Sequence, residues 1–321
     1  MTYVLTVANQ KGGVGKTTTS LNLCYALSNF HNKPTLLIDI DSQASSSLCL
    51  GIDVLENSDI SIYDILDPYV NREITQLSWD FVKKAIYTPT YIETVRDPDD
   101  SMKWIRVEKP FGFDCMPSEL NLSLVELNMG IVGNRSGGRG IYPYYLRDLI
   151  DVIKAQNIYS FIIIDSPPSL GSLSINAIAA ATDGVLITSN MDVLSMRGVH
   201  SLCDTVNTVQ GWNSKHRGVL GILFSLYSDR RSVDKSVSEW AKSFLPIGSL
   251  KTRIPETTDV KKANSSMYVV CQINKKMAKA YDSLANEIIY AVEHPDEPVG
   301  TARDYQSDIE ERQTKTENEA K

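Results

Sequence analysis

No stretch of this 321-residue chain approaches the roughly 18 uninterrupted apolar residues that a membrane-spanning helix needs. The first residues run straight into an apolar segment, so the chain reads as one without a secretory signal. Cysteine is scarce: five residues (24, 49, 115, 203 and 271), an odd number with no C-x-x-C pair. That argues against a disulfide framework or a structural zinc site, and for reduced thiols in a cytoplasmic protein. Cations are in deficit, with 32 Lys and Arg against 39 Asp and Glu for a net charge of −7. Five of those seven charges fall in residues 293–321, where nine acids meet four bases around Pro295 and Pro298. So polar a segment is expected to be an acidic, disordered tail. The nearly neutral remainder leaves room for a local basic face. With 42% hydrophobic residues and no internal repeat, residues 1–292 suit one large α/β domain.

What the chain does have is concentrated in residues 9–18, Asn-Gln-Lys-Gly-Gly-Val-Gly-Lys-Thr-Thr. Tyr3, Val4, Leu5 and Val7 before it read as a buried strand. Leu21, Leu23, Ala26 and Leu27 after it read as an amphipathic helix over 16–29. Between them, glycines let the backbone curl around an anion with N–H groups pointing inward, and the helix dipole adds to that field. On this reading Gly12, Gly13, Val14, Gly15, Lys16, Thr17 and Thr18 cradle a nucleotide's phosphates. Lys16 reaches the β/γ-phosphates and the Thr17 hydroxyl ligates Mg²⁺. The strict G-x-x-x-x-G-K-[ST] pattern has Gln10 at its first position, and a second lysine, Lys11, precedes the glycine pair. The bland reading is a glycine-rich turn with two solvated lysines; a strand before, a helix after and Lys-Thr in place argue against it.

Residues 11–18 resemble the deviant Walker A box of the ParA/MinD/nitrogenase-iron-protein group of P-loop ATPases. In that group the extra lysine crosses an ATP-sandwiched dimer to the partner's nucleotide, a role the resemblance gives to Lys11. Two further segments carry the likeness. Residues 34–40 read as a second buried parallel strand ending in Asp39-Ile40-Asp41-Ser42-Gln43. Strand alternation puts Asp39 and Asp41 on one side, at the carboxyl end where open α/β sheets place ligands. The segment looks like the family's D-x-D-P-Q, with Ser42 replacing the proline. The resemblance makes Asp41 the residue that orients the attacking water and puts Asp39 near the P-loop lysine and the metal. Residues 159–165 form an apolar strand that would deliver the Asp165 carboxylate to the metal's water shell. Asp165-Ser166-Pro167-Pro168-Ser169-Leu170-Gly171 is similar to the family's D-x-P-P-S-L-G switch, stiffened by prolines and pivoting at Gly171.

Elsewhere the spacing predicts short helices at 62–66 and 79–85, with loops at Pro89 and Asp97-Pro98-Asp99-Asp100, inside an elaboration at 51–110. Residues 113–120 resemble a family strand followed by a helix at 119–129, and 133–140 read as a flexible basic loop. Helices at 143–156, 173–181, from 194, and 273–291 alternate with strands at 184–188, 218–224 and near 247–250. The last helix presents Ala278, Tyr281, Leu284, Ala285, Ile288 and Ile289 as its buried stripe. Such alternation argues a doubly wound, mostly parallel sheet flanked by helices.

The resemblance therefore implies an ATP hydrolase using ATP and Mg²⁺ that forms a homodimer with ATP. The motifs look most like the plasmid and chromosome partition ATPases of the ParA/Soj type. That likeness implies non-specific binding of double-stranded DNA, a ParB-type centromere-binding partner, association with the nucleoid and no membrane. It also places Pro255 beside the nucleotide, and Arg230, Arg231, Lys235, Lys261 and Lys262 on DNA phosphates. Glu256 and Asp259 stand where relatives often carry arginine. A MinD-like membrane cycle would need a basic amphipathic C-terminal helix, and this terminus is acidic. A nitrogenase-type iron–sulfur cluster would need cysteines paired across a dimer, whereas Cys115 reads as strand and Cys203 as helix. A positioning ATPase for a non-DNA cargo would share every motif.

Overall fold

Leu36, Leu37 and Ile38 are consecutive and fully buried, as are Ile162, Ile163 and Ile164. Such runs fit a strand covered on both faces. In the computed structural model, which describes residues 1–57, 59–98, 102–135, 143–212, 216–228 and 248–300, both runs lie inside one parallel sheet. The first half of the chain gives β1 (Tyr3–Ala8), α1 (Lys16–Asn29), β2 (Thr35–Asp39), α2 (Ser45–Cys49), α3 (Val54–Asn57) and α4 (Ile62–Val70). There follow α5 (Trp79–Val82) with a 3₁₀ turn (Lys83–Ala85), β3 (Thr90–Arg96), β4 (Trp104–Pro110), β5 (Asp114–Met116), α6 (Leu122–Arg135) and α7 (Tyr145–Lys154). The second half adds β6 (Phe161–Asp165), α8 (Ser172–Ala180), β7 (Gly184–Ser189), α9 (Val193–Trp212), β8 (Val219–Tyr227) and β9 (Ser249–Pro255). It closes with α10 (Asp259–Ser265), α11 (Val270–Ile273) and α12 (Lys275–Glu293).

Among the described residues the main sheet has seven strands in the order β5-β2-β6-β1-β7-β8-β9, and every pairing in it is parallel. Central β1 pairs with β6 from Tyr3↔Phe161 to Val7↔Asp165, and β2 pairs with β6 so that Asp39 stands opposite Asp165. The register alone thus brings the ends of β1, β2 and β6 together. Pleating sends alternate side chains to opposite faces. Leu5 and Val7 join Leu27 of α1 with Tyr281 and Leu284 of α12. Val4, Ile162 and Ile164 join Leu146 and Leu149 of α7. A third cluster unites Ala8, Ile178, Val206 and Phe224. No described helix is long and apolar enough to cross a membrane.

Each described edge strand has some of its backbone groups taken up from outside the sheet. On β5, Tyr87 N–H donates to the Cys115 carbonyl (2.9 Å) and Cys115 N–H to the Tyr87 carbonyl (2.8 Å). On β9, the Glu287 carboxylate accepts the N–H groups of Lys251 (2.7 Å) and Thr252 (3.0 Å).

Several expectations are corrected. Within the elaboration, where only loops at Pro89 and 97–100 were expected, residues 90–96 and 104–110 form an antiparallel hairpin of β3 and β4, paired from Thr90↔Pro110 to Arg96↔Trp104. Helix α6 begins at Leu122 rather than 119, because the backbone before it serves other bonds: Ile62 N–H donates to the Pro117 carbonyl and Ser118 N–H to Ser47 Oγ. It runs on through Gly133, Asn134 and Arg135, so the start of the expected basic loop is helical, while 136–140 lie outside the described residues. Strand β9 extends to Pro255. The final helix is interrupted at Asn274, whose side chain caps α12 by accepting the Met277 N–H (3.0 Å). Ala278 and Ile289 are half-buried, and Met277, Ala291 and Val292 complete the buried stripe. Gly300 packs against β9, where a Cβ would collide with the Ser249 carbonyl; residues 301–321 of the expected tail lie outside the described residues.

Candidate functional site

Gly13 and Gly15 take φ values of 73° and 81°, a left-handed region open to glycine at little cost. Gly15 directly precedes α1, and no side chain caps that helix. Its first N–H groups are therefore left to an outside acceptor, and an anion suits them. The loop is held from three sides. Asn9 donates its amide to the Thr188 carbonyl (2.5 Å) and accepts the Lys11 N–H (2.9 Å), while Ser225 Oγ donates to the Val14 carbonyl (2.6 Å). Lys16 is buried and curls back so that its Nζ donates to the Lys11 carbonyl (3.2 Å). Burial pushes the Lys16 pKa down, and the charges of Asp165 and Asp41 oppose that fall.

Behind the loop lie two buried carboxylates. Asp165 Oδ2 accepts Thr17 Oγ1 (2.9 Å) and Ser46 Oγ (2.6 Å), and its Oδ1 accepts Ser20 Oγ (3.0 Å). Asp39 Oδ1 accepts the Asp41 N–H (3.1 Å), and its Oδ2 accepts Ser47 N–H (3.0 Å) and Oγ (2.8 Å). Burial raises both pKa values, and for Asp39 the neighbouring Asp165 charge adds to it. Asp41 stands further out, half-buried, with Oδ1 accepting the Gln43 N–H (3.0 Å). Thr17 and Asp165 thus meet at the head of α1 beside Lys16, Asp41 stands near enough for its charge to act on Lys16, and Asp39 lies opposite Asp165 in the sheet. Ser20, Ser46, Ser47 and Ser225 escaped the sequence reading, and Asn9 was read only as part of the 9–18 stretch, without a role. The only local hints were the serine run after Asp41 and the position of Ser20, one helical turn beyond Lys16.

Lys11 points away from this cluster. It is exposed, and its Nζ contacts Ser195 Oγ (3.0 Å) and Asp192 (3.5 Å). Asp192 in turn accepts the Ser195 N–H (2.8 Å) and hydroxyl (2.6 Å). The Thr18 carbonyl accepts the Asn22 amide (2.8 Å). Pro255 pairs with Tyr227 at the end of β9 and borders a cleft of about 910 Å³ with Arg253, Lys276 and Lys279. Lys261 and Lys262 are exposed on α10, and Lys262 Nζ is paired with Asp259 Oδ1 (3.1 Å). Arg230, Arg231 and Lys235 lie outside the described residues. All five cysteines are free thiols, four of them buried.

A profile of the family described as an AAA domain matches residues 2–217. Chromosome partitioning protein ParA of Caulobacter vibrioides is 31% identical over 288 residues, which is 89% of this chain and 93% of that protein. Sporulation initiation inhibitor protein Soj of Bacillus subtilis is 30% identical over 294 residues, 90% of this chain and 98% of that protein. Among solved structures, cobyrinic acid a,c-diamide synthase from Mycobacterium smegmatis, with bound ADP and magnesium, matches with a TM-score of 0.66 at 25% identity. That match covers 94% of this chain and 98% of the synthase.

Proposed function

Because this chain belongs to the ParA/MinD superfamily of partition and positioning ATPases, we propose that it is an ATP-driven dimer switch for DNA partition. In this reading the ATP-bound homodimer holds duplex DNA without regard to sequence, and a ParB-type partner stimulates its hydrolysis. The observation that carries it is the meeting of Lys16, Thr17 and Asp165 behind a left-handed glycine cradle, with Lys11 left outside.

The donor set fits ATP with Mg²⁺. Two buried acids facing one buried lysine leave the pocket short of positive charge. A threonine hydroxyl beside a carboxylate suits an ion that keeps most of its waters and takes phosphate oxygens. Among the described residues, no group of three acidic, His or Cys side chains could hold a metal unaided, which also suits a nucleotide-borne ion. The bound Mg²⁺ would supply charge neutralisation at the phosphoryl oxygens.

The chain's own residues do the rest. Backbone N–H groups of residues 12–18 bind the phosphates, and Lys16 swings from the Lys11 carbonyl to the β/γ-phosphates. Thr17 and Asp165 would hold the metal and its waters. Asp39 fixes the backbone of Asp41, whose carboxylate orients the attacking water; catalysis is then mostly positioning and electrostatics. Lys11 leaves Asp192 to reach the partner subunit's nucleotide, and Pro255 borders the base. Arg230, Arg231, Lys235, Lys261 and Lys262 would contribute phosphate contacts, Lys262 least because Asp259 holds it. One ATPase domain spans 1–292, with an elaboration at 51–110 that includes the hairpin and an acidic tail beyond.

Asp41→Ala is expected to keep ATP but stop turnover, whereas Lys16→Ala loses nucleotide binding. With the Asp41 variant, ATP but not ADP should retard duplex DNA. Affinity should fall about 0.9 log units per log unit of salt for each phosphate neutralised. Wild-type turnover by Asp41→Ala would refute the assignment of the water-orienting residue. No ATP-dependent retardation at low salt would refute the DNA reading.

A further inference from the structure

Helix α12 opens with Lys275 and Lys276 and adds Lys279 one turn on, with no acid in its first turn. All three lysines are exposed. They crowd the positive end of a 19-residue helix, where a carboxylate is the favoured neighbour and a cation the disfavoured one. Lys276 and Lys279 line the cleft of about 910 Å³ beside β9, together with Lys251 and Arg253 of that strand. Glu256 is the only acid among its described lining residues. Four cations against one acid make this concavity a site for negative charge.

The same chain leads negative charge to it. After α12 the backbone turns, with Glu297 N–H donating to the His294 carbonyl (3.1 Å), and returns to the sheet at Gly300. Gly300 lies so close to β9 that a Cβ would stand 2.1 Å from the Ser249 carbonyl oxygen and 2.8 Å from Leu250 Cα. The next strand residue, Lys251, is already part of the cleft. Residues 304–311, Asp-Tyr-Gln-Ser-Asp-Ile-Glu-Glu, hold four acids and no base. An extended chain gains about 3.3 Å per residue, so this segment can reach every part of a cleft that follows a seven-residue strand.

We propose that the acidic segment 304–311 docks in its own chain's cationic cleft. Its carboxylates meet Lys276 and Lys279 at the head of α12, and while docked they hold other polyanions off this edge of the sheet. Single exposed ion pairs are weak. Tethering compensates, because a segment joined to the cleft by a few residues is present there at a roughly millimolar effective concentration. The docking rests on neither the ATPase nor the DNA reading above.

The test uses the full-length chain. A carbodiimide, which joins a carboxylate to an amine in contact with it, should link Lys276 or Lys279 to Asp308, Glu310 or Glu311. Mass spectrometry of the digest maps the links, which should fade as salt is raised. Mixing chains of ordinary and heavy nitrogen separates links within one chain from links between copies. Heparin serves as the polyanion probe. The variant Asp304→Asn/Asp308→Asn/Glu310→Gln/Glu311→Gln should bind heparin at least about threefold more tightly than the wild type, with circular dichroism unchanged. In a chain that also carries Lys276→Gln/Lys279→Gln, the tail changes should lose that gain. An equal gain in that background reports bulk charge alone and overturns the docking, as does no gain with the lysines intact. Absence of tail links, links only between copies, or links from these lysines to Asp229, Asp234 or Glu239 in place of the tail overturn it too.

Discussion

Lys11 cannot be bound to Asp192 and to a neighbouring subunit at once. The pair is half in water, where such contacts contribute about 0.2–1 kcal/mol. Asp192→Ala should therefore ease ATP-dependent dimerisation by only a few-fold, read as a lower ATP concentration for half-maximal dimer in light scattering. An unchanged midpoint would mean that the contact restrains nothing. His216 behaves differently because it is buried. Its Nδ1 accepts the Gly218 N–H (2.8 Å), so the ring proton sits on Nε2 and is donated to the Ile178 carbonyl (2.6 Å). Burial pushes its pKa below 6.5, with Arg147 adding to the fall and the Ile178 bond and Asp183 opposing it. Below pH 6.5 the unfolded chain takes up a proton that the native chain refuses, so stability is full above that pH and is lost as pH falls. The urea midpoint should drop between pH 7.5 and 5.5, and His216→Gln should flatten that part of the profile.

The hairpin of β3 and β4 leans on Tyr91, whose ring meets Phe111 (5.1 Å) and Tyr268 (5.5 Å). Tyr91→Ala should cost about 1–3 kcal/mol and undock the hairpin. Hydrogen exchange would then speed up at 90–110 while β1, β2 and β6 stay protected; loss of protection throughout would show that the hairpin is integral to the core. This element was illegible in the sequence for a physical reason. Its strands bury only alternate residues, and only by half, and charged side chains such as Glu93, Arg106 and Lys109 interrupt any apolar signal. Strands β2, β6 and β7 were legible because they are buried on both faces and read as apolar runs, whereas the polar Lys251, Thr252 and Arg253 hid the end of β9. The site divides in the same way. The glycine loop, Asp39, Asp41 and Asp165 sit in contiguous motifs. Ser20 and Ser46 matter only because the register of β2 and β6 carries Asp165 to them across 145 and 119 residues.

At the scale of the whole molecule, the nucleotide should govern mass. Asp41→Ala with ATP and Mg²⁺ should double its mass in light scattering, and adding Lys11→Ala should return it to a monomer. A monomer in the first case would sink the sandwich. On the proposed reading, the way dimers would gather on DNA is constrained by the described flanks of the sheet. Tyr87 occupies one, and the Glu287 carboxylate takes up backbone donors on the other. Those backbone groups are not available to a neighbour's strand. On that reading copies would meet through loops and helices, like beads on a string rather than rungs of a continuous ribbon, and each could depart without tearing a backbone ladder shared with the next.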